Sequence, residues 1–150
     1  MPSTYSDQNL SIMSNVVVQV GPIEDLDAGK AGGRKLLRAV IGGTLGNSDV
    51  PVLSAWAEGL NSSVNSVAGG KKQSVCVLID IRRMETYSDP QVITILAELM
   101  KKDDPFVYKT ATYGGTALHQ MIEGVIRGMA GRSNLMNFPT ESEALRWLRE

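Results

Sequence analysis

Two places in this chain gather residue types that could do chemistry. The apolar run Val75-Cys76-Val77-Leu78-Ile79-Asp80-Ile81 reaches Asp80 near its end and is followed at once by Arg82 and Arg83. A second strand-like run, Phe106 to Tyr113, leads into Gly114, Gly115 and Thr116. Open α/β sheets bind ligands beyond the carboxyl ends of their strands. Thr116 is placed to open a helix whose first N–H groups could hold an anion, and Arg82 or Arg83 could add charge. The same residues have a plainer use, in which Asp80 anchors a loop, the arginines are solvated and the glycines make a turn. The sequence leaves both readings open.

Other chemistry lacks its parts. His119 is the single histidine and lies beside Gln120 and Glu123 on the polar side of its segment, where a solvated imidazole is expected. With one histidine and one cysteine, no metal site built on several such ligands can form. Cys76 falls in the most apolar run, where a thiol packs rather than reacts. No Gly-x-Ser-x-Gly elbow occurs. Gly29-Lys30-Ala31 lacks the hydroxyl residue of a phosphate loop and has Glu24 where the earlier glycine belongs, and Gly70-Lys71-Lys72 leads into a strand instead of a helix. No catalytic residue, metal or cofactor is assigned, and a non-enzymatic protein is expected.

The hydrophobic pattern supplies the scaffold for these groups. Residues 1–11 read as a flexible lead-in rich in Ser, Asp, Gln and Asn, and residues 12–150 as a single domain. Val16 to Val20 predicts a short strand by β-branched density, closed by Gly21-Pro22. Glu24 to Gly33 reads as a flexible connection, and Lys35 to Ile41 as a second strand closed by Gly42-Gly43. The two strands pair as a hairpin with a long loop. A helix begins near Ser48 or Asp49, with Pro51 in its first turn and Leu53, Trp56, Ala57, Leu60, Val64 and Val67 on one face. Gly69-Gly70 ends it. Val75 to Ile81 is apolar on both faces, as a central strand covered on two sides must be.

Ser88 and Gln91 have capping-box spacing for a second helix that turns Val92, Ile95, Leu96 and Leu99 inward. Lys101-Lys102 suits its negative end. A third helix follows Thr116, with Leu118, Met121, Ile122, Val125, Ile126 and Met129 as its stripe. Asn134 to Phe138 is a last strand, and Thr140 to Glu143 is a capping box opening a final helix with Ala144, Leu145, Trp147 and Leu148. The order β, β, α, β, α, β, α, β, α predicts an α/β fold, a mostly parallel sheet with an N-terminal hairpin and about four helices packed on it. Gly124, Gly128 and Gly131 recur on one side of the third helix, either to let another backbone approach or as tolerated glycines. That helix, or an exposed hairpin strand, could join two copies as a homodimer.

At 150 residues the chain has the length of one domain. Hydrophobic residues at 43% and charged residues at 21% set aside collagen, coiled coil and wholesale disorder. Lys and Arg number 15 against 16 Asp and Glu, so no overall basic footprint points to nucleic acid. No apolar run approaches the ~20 residues that cross a bilayer, so no transmembrane segment is expected. Met1 to Leu10 has no Lys or Arg and does not read as a signal peptide. One cysteine allows no internal disulfide, which suits a cytoplasmic location.

From about residue 35 to 150 the chain resembles the STAS, or SpoIIAA-like, fold of bacterial anti-sigma-factor antagonists. It is closest to small uncharacterised bacterial proteins described as STAS-like, whose fold is related to lipid-binding CRAL-TRIO domains. A strand ending in a "liDlr" pattern is matched by Val77-Leu78-Ile79-Asp80-Ile81-Arg82, and a strand leading to glycines by Thr110-Ala111-Thr112-Tyr113-Gly114-Gly115. The closing pattern is matched by Phe138, Thr140, Glu143-Ala144-Leu145 and Trp147-Leu148. The resemblance implies a regulatory protein-interaction module that meets its partner through the second helix, around Ser88 to Leu96, and the loop before it. In anti-sigma antagonists a serine in an Asp-Ser-Ser-Gly pattern opens that helix and is phosphorylated. Here the stretch reads Ser88-Asp89-Pro90-Gln91, with Asp89 or Pro90 at the serine's place and Ser88 displaced toward the strand. The distant likeness to lipid-binding domains implies an alternative, a small-ligand or lipid-like anion binder using Asp80 to Arg83 and Gly114 to Thr116.

Overall fold

The computed structural model describes residues 11–13, 16–26, 33–44, 46, 49–86, 90–103, 105–115, 124–129, 131 and 134–150. The strands are β1 (Ser11–Met13), β2 (Val16–Asp25), β3 (Lys35–Thr44), β4 (Val75–Asp80), β5 (Met84–Thr86), β6 (Val107–Tyr113) and β7 (Leu135–Phe138). Helix α1 is Val50–Ala68 and α2 is Pro90–Asp103. Residues 124–129 are helical and form α3, and α4 is Glu141–Arg149. No described helix is long and apolar enough to cross a membrane.

The protein is α/β. Its strands form one sheet in the order β1-β2-β3-β4-β6-β7, with β5 set against β3. The pairs β1–β2 and β2–β3 are antiparallel, which gives the expected hairpin. The pairs β3–β4, β4–β6 and β6–β7 are parallel. All six residues of β4 are buried, and β4 lies between β3 and β6, so the run that was apolar on both faces is the interior strand.

Alternation along the strands divides the core in two. Leu37, Ala39 and Ile41 of β3 and Val75, Val77 and Ile79 of β4 meet α1, α2 and Ile126 of α3 on one face. Leu36, Cys76, Leu78, Ala111 and Tyr113 meet Ala144 and Leu148 of α4 on the other. The three connecting helices share a face because the strand order advances in one direction, and crossovers of one hand then place every helix on the same side. Trp56 ties α1 to the sheet by donating from Nε1 to the Gln19 carbonyl oxygen at 3.0 Å inside the core.

Several boundaries differ from the sequence reading. The chain does not leave β2 at Gly21-Pro22. It continues to Asp25 through a register shift between Val20 and Ile23, and that bulge absorbs a proline that cannot donate to a ladder. Glu24 and Asp25, read as loop, are therefore strand residues. Likewise β3 runs through Gly42-Gly43 to Thr44. Residue 11, at the end of the expected lead-in, opens β1, which pairs along Val16–Val18 and covers that part of the hairpin edge.

Asp49 precedes α1, yet its Oδ2 accepts from Gly46 N at 3.0 Å instead of capping the helix. Thr140 does cap α4, its hydroxyl accepting from Glu143 N at 3.2 Å. On α3 only Ile126 of the described stripe is buried, while Val125 and Met129 are half exposed. This helix packs Ile126 with Leu135 of β7, the last strand of the sheet, and no described strand lies beyond β7. A Cβ at Gly128 would meet nothing within 4 Å among the described residues, so no neighbouring backbone there requires a glycine. Residues 1–10, Ser48, Ser88, Asp89, Thr116, Leu118, His119, Met121 and Ile122 lie outside the described residues.

Candidate functional site

The carboxyl ends of β4 and β6 bring most of the expected site residues together. Asp80 is the last residue of β4, in register with Val40 on β3 and Tyr113 on β6. Its side chain falls on the α4 face, two and four residues beyond Leu78 and Cys76. It is 6% exposed and its charge is answered locally. Oδ1 accepts from the Arg82 backbone N–H at 2.9 Å and from Arg82 Nε at 3.1 Å. Oδ2 accepts from Arg82 Nη2 at 2.8 Å, and Arg83 Nη1 lies 3.7 Å away. Burial is the largest influence on this carboxyl and pushes its pKa up. The Arg82 hydrogen bonds and the two guanidinium charges together outweigh it and leave the pKa below the ordinary aspartate value. The hydrogen bond to Asp80 is in turn the main reason that the Arg82 pKa is raised.

The turn carrying the arginines is held on every side. Ile81 N donates to Tyr113 O at 3.1 Å, Met84 N to Ile81 O at 3.1 Å, and Gly43 N to Arg83 O at 2.8 Å. Two glycines make room for it. A Cβ at Gly42 would lie 2.6 Å from Arg83 Cβ, and one at Gly114 would lie 2.2 Å from Arg82 Cγ. Gly114 also has φ +92°, where an L side chain is strained. Gly42 read as a strand stop and Gly114 as a simple turn, but both are places where the Arg82-Arg83 turn presses on its neighbours. Gly115 follows, half buried. Thr116, Ser88 and Asp89, the remaining expected members, lie outside the described residues.

Tyr113 extends the site into a network that the motifs did not show. Its ring is buried, its hydroxyl donates to Glu141 Oε2 at 3.3 Å, and the Arg82 guanidinium lies 5.4 Å from the ring centroid. The same Glu141 oxygen accepts from Arg38 Nη1 at 2.8 Å, and Arg38 Nε makes an ion pair with Glu24 Oε2 at 3.1 Å. Burial works against the Arg38 charge, yet the two glutamates more than offset it and raise the pKa. A signal for Arg38 was present, since a single cation interrupts the apolar run Leu36-Leu37-Arg38-Ala39-Val40-Ile41. Its partners sit on β2 and α4, which sequence spacing does not connect.

This geometry anchors the Arg82-Arg83 turn. Asp80 is a paired carboxylate that stays ionised near neutrality. A cavity of about 10 Å³ between Arg38, Val40, Asp80 and Tyr113 has room for about one water. Among the described residues no three His, Cys, Asp or Glu side chains are grouped to hold a metal. The parallel strands follow one another without reversal, so the sheet has no switch point, the feature that opens a crevice in doubly wound folds.

Larger openings lie on the helices. Ser54, Ala57, Glu58 and Asn61 of α1 face Ile95, Glu98, Leu99 and Lys102 of α2 across a groove of about 200 Å³. It continues, shallower, to the amino ends of the two helices at Val50, Pro90, Gln91 and Thr94. An apolar cavity of about 40 Å³ lies beneath, between Trp56, Leu96, Met100, Ile126 and the sheet. Comparison with known protein families and with curated proteins finds no match for this chain.

Proposed function

We propose that this chain is a non-enzymatic protein-interaction module of STAS-like, SpoIIAA-like type, acting in the cytoplasm. The observation that carries the reading is the winding of the sheet. Four parallel strands advance in the order β3-β4-β6-β7 with their connecting helices on one face, after an antiparallel hairpin. The tightly answered charge at Asp80 supports it, since the arginines at the strand ends are committed to their own turn.

The partner surface in this reading is the amino half of α2 with the neighbouring groove of α1. Thr94 and Gln91 are exposed there beside half-buried Ile95. The small-ligand alternative draws less support. Arg82 and Arg83 already face Asp80, and an apolar cavity of about 40 Å³ is small beside the ~150 Å³ that accepts benzene.

Photo-cross-linking tests the reading. A photoreactive residue is placed at Thr94, and in a second variant at Lys72, in cells that produce the protein. The expected result is one stoichiometric protein adduct from position 94 that is absent from position 72. That adduct is lost when Gln91→Arg is added, and the same protein co-purifies with the unmodified chain. Adducts of the same kind from both positions, or none from position 94, would overturn it.

A further inference from the structure

The opposite end of the molecule carries a charge that neither the fold nor the reading above uses. Strands β3, β4, β6 and β7 begin there, and the described helices α1, α2 and α4 end there. Lys71 and Lys72 follow α1, Lys101 and Lys102 close α2, and Arg146 and Arg149 close α4. All six are exposed. Backbone and side-chain bonds join the segments that carry them. Arg34 Nε donates to Gln73 O at 3.2 Å, Gln73 N to Pro105 O at 3.2 Å, and Ser74 N to Phe106 O at 3.0 Å. Lys109 Nζ reaches the Trp147 carbonyl oxygen at 2.8 Å and so fixes the end of α4 to the start of β6. The cations therefore stand at one end of the sheet, on helices from both of its faces.

Helix dipoles account for only part of them. A helix carboxyl end offers about half a negative charge, so three helices offset roughly one and a half cations. None of the six makes an ion pair with a carboxylate among the described residues. Allowing for Asp103, Asp104 and Glu150, which neighbour them in the sequence, the cations remain in excess. The chain as a whole is slightly acidic, so this end is one pole of an asymmetric charge distribution.

We propose that this basic end docks on an anionic membrane surface through lipid phosphate groups. Four of the six cations are lysines, point charges on flexible stems that suit a diffuse layer of headgroups better than the paired geometry of a fixed site. Clusters of four to eight Lys and Arg are what anionic bilayers attract. Lys102 also lines the groove between α1 and α2, but the other five cations lie away from it, so the inference does not rest on the interaction surface proposed above.

Co-sedimentation of the full chain with vesicles of seven parts phosphatidylcholine to three parts phosphatidylglycerol tests it. Binding is expected at 50 mM NaCl, with at least a tenfold fall by 500 mM and none on pure phosphatidylcholine. Inorganic phosphate at matched ionic strength should not compete. The pairs Lys71→Gln/Lys72→Gln and Lys101→Gln/Lys102→Gln, made separately and confirmed folded by their melting curves, should each weaken binding, by about fivefold per lysine. Thr94→Ala should bind as the parent. Equal binding to neutral vesicles, no binding at 50 mM NaCl, unchanged binding of both paired variants, or a preference for duplex DNA over the vesicles would each overturn the proposal.

Discussion

Asp80→Asn should destabilise the protein through loss of a charge, and only where that charge exists. The asparagine keeps the size of the side chain and one oxygen for the Arg82 backbone N–H. It removes the negative partner of two guanidinium groups, the nearest held at 2.8 Å. Hydrogen bonds to a charged group contribute ~1.5–3 kcal/mol. The Arg82 side chain is 60% exposed, so solvent screens its share and the lower end applies. A loss of ~1.5 kcal/mol at pH 7 corresponds to a fall in Tm of about 3–6 °C for a domain of this size.

The pH dependence carries the discriminating sign. The Asp80 pKa is lowered on folding, so its contribution is present above the unfolded value of about 3.9 and disappears as pH falls through the lower folded value. Melting curves of parent and variant should be separated at pH 7 and converge below about pH 4. Asp80→Ala should be worse than Asp80→Asn at pH 7, because it also leaves the Arg82 N–H without its acceptor. Identical curves at pH 7, or a difference that persists unchanged at pH 3, would refute the assignment of Asp80 as the charged anchor of the turn.

Three further substitutions probe the same framework. Arg38→Met should lower stability by ~2 kcal/mol, less than a fully buried pair because both glutamates are partly exposed, and Glu141→Gln added to it should restore part of the loss in denaturant titration. Hydrogen exchange should also show faster opening at the start of α4 in Arg38→Met. Trp56→Phe should cost ~1–2 kcal/mol in guanidinium unfolding, since the Gln19 carbonyl oxygen loses its donor inside the core. Gly114→Ala should cost at least ~2 kcal/mol by adding a Cβ at positive φ against Arg82, and Arg82→Ala, which removes the Cγ in the way, should recover part of it while leaving the φ strain.

The sequence was legible where one physical requirement acts alone. Val75 to Asp80 had to be interior because no polar face is available to turn outward, and it is. Thr140 had to cap because its hydroxyl meets a free N–H three residues on, and it does. A glycine that allows a close approach looks, in sequence, like one that makes a turn. Gly42 is in strand because Arg83, forty-one positions later, backs onto it, and no local pattern encodes that contact. Val125 and Met129 matched a buried stripe by spacing alone, while the extent of burial depended on how much sheet lies beneath them. Asp80 with Arg82 was visible as a neighbouring pair. Arg38 and Glu141 are 103 positions apart and meet only because α4 returns across the far face of the sheet.

The order of the strands also limits where a partner can bind. A sheet that reverses its winding leaves two helices diverging above a gap, and ligands collect there. Among the described strands the winding does not reverse, α1 and α2 face each other across a groove, and the end of β4 is occupied by its own Arg82-Arg83 turn. Edge pairing is restricted as well. Asn134 O and Phe138 O of the last strand segment point toward β6, so the Leu135 carbonyl between them points outward, and Arg127 Nη1 donates to it at 3.0 Å. Short edge strands resist addition of a further strand, and one outward carbonyl of this one is already occupied. Among the described residues, the helix groove and the basic pole are the surfaces that carry the two proposals above. Because the amino half of α2 and the Lys71-Lys72 turn lie at different ends of the molecule, Gln91→Arg should leave vesicle binding intact and Lys71→Gln/Lys72→Gln should leave the position-94 adduct intact.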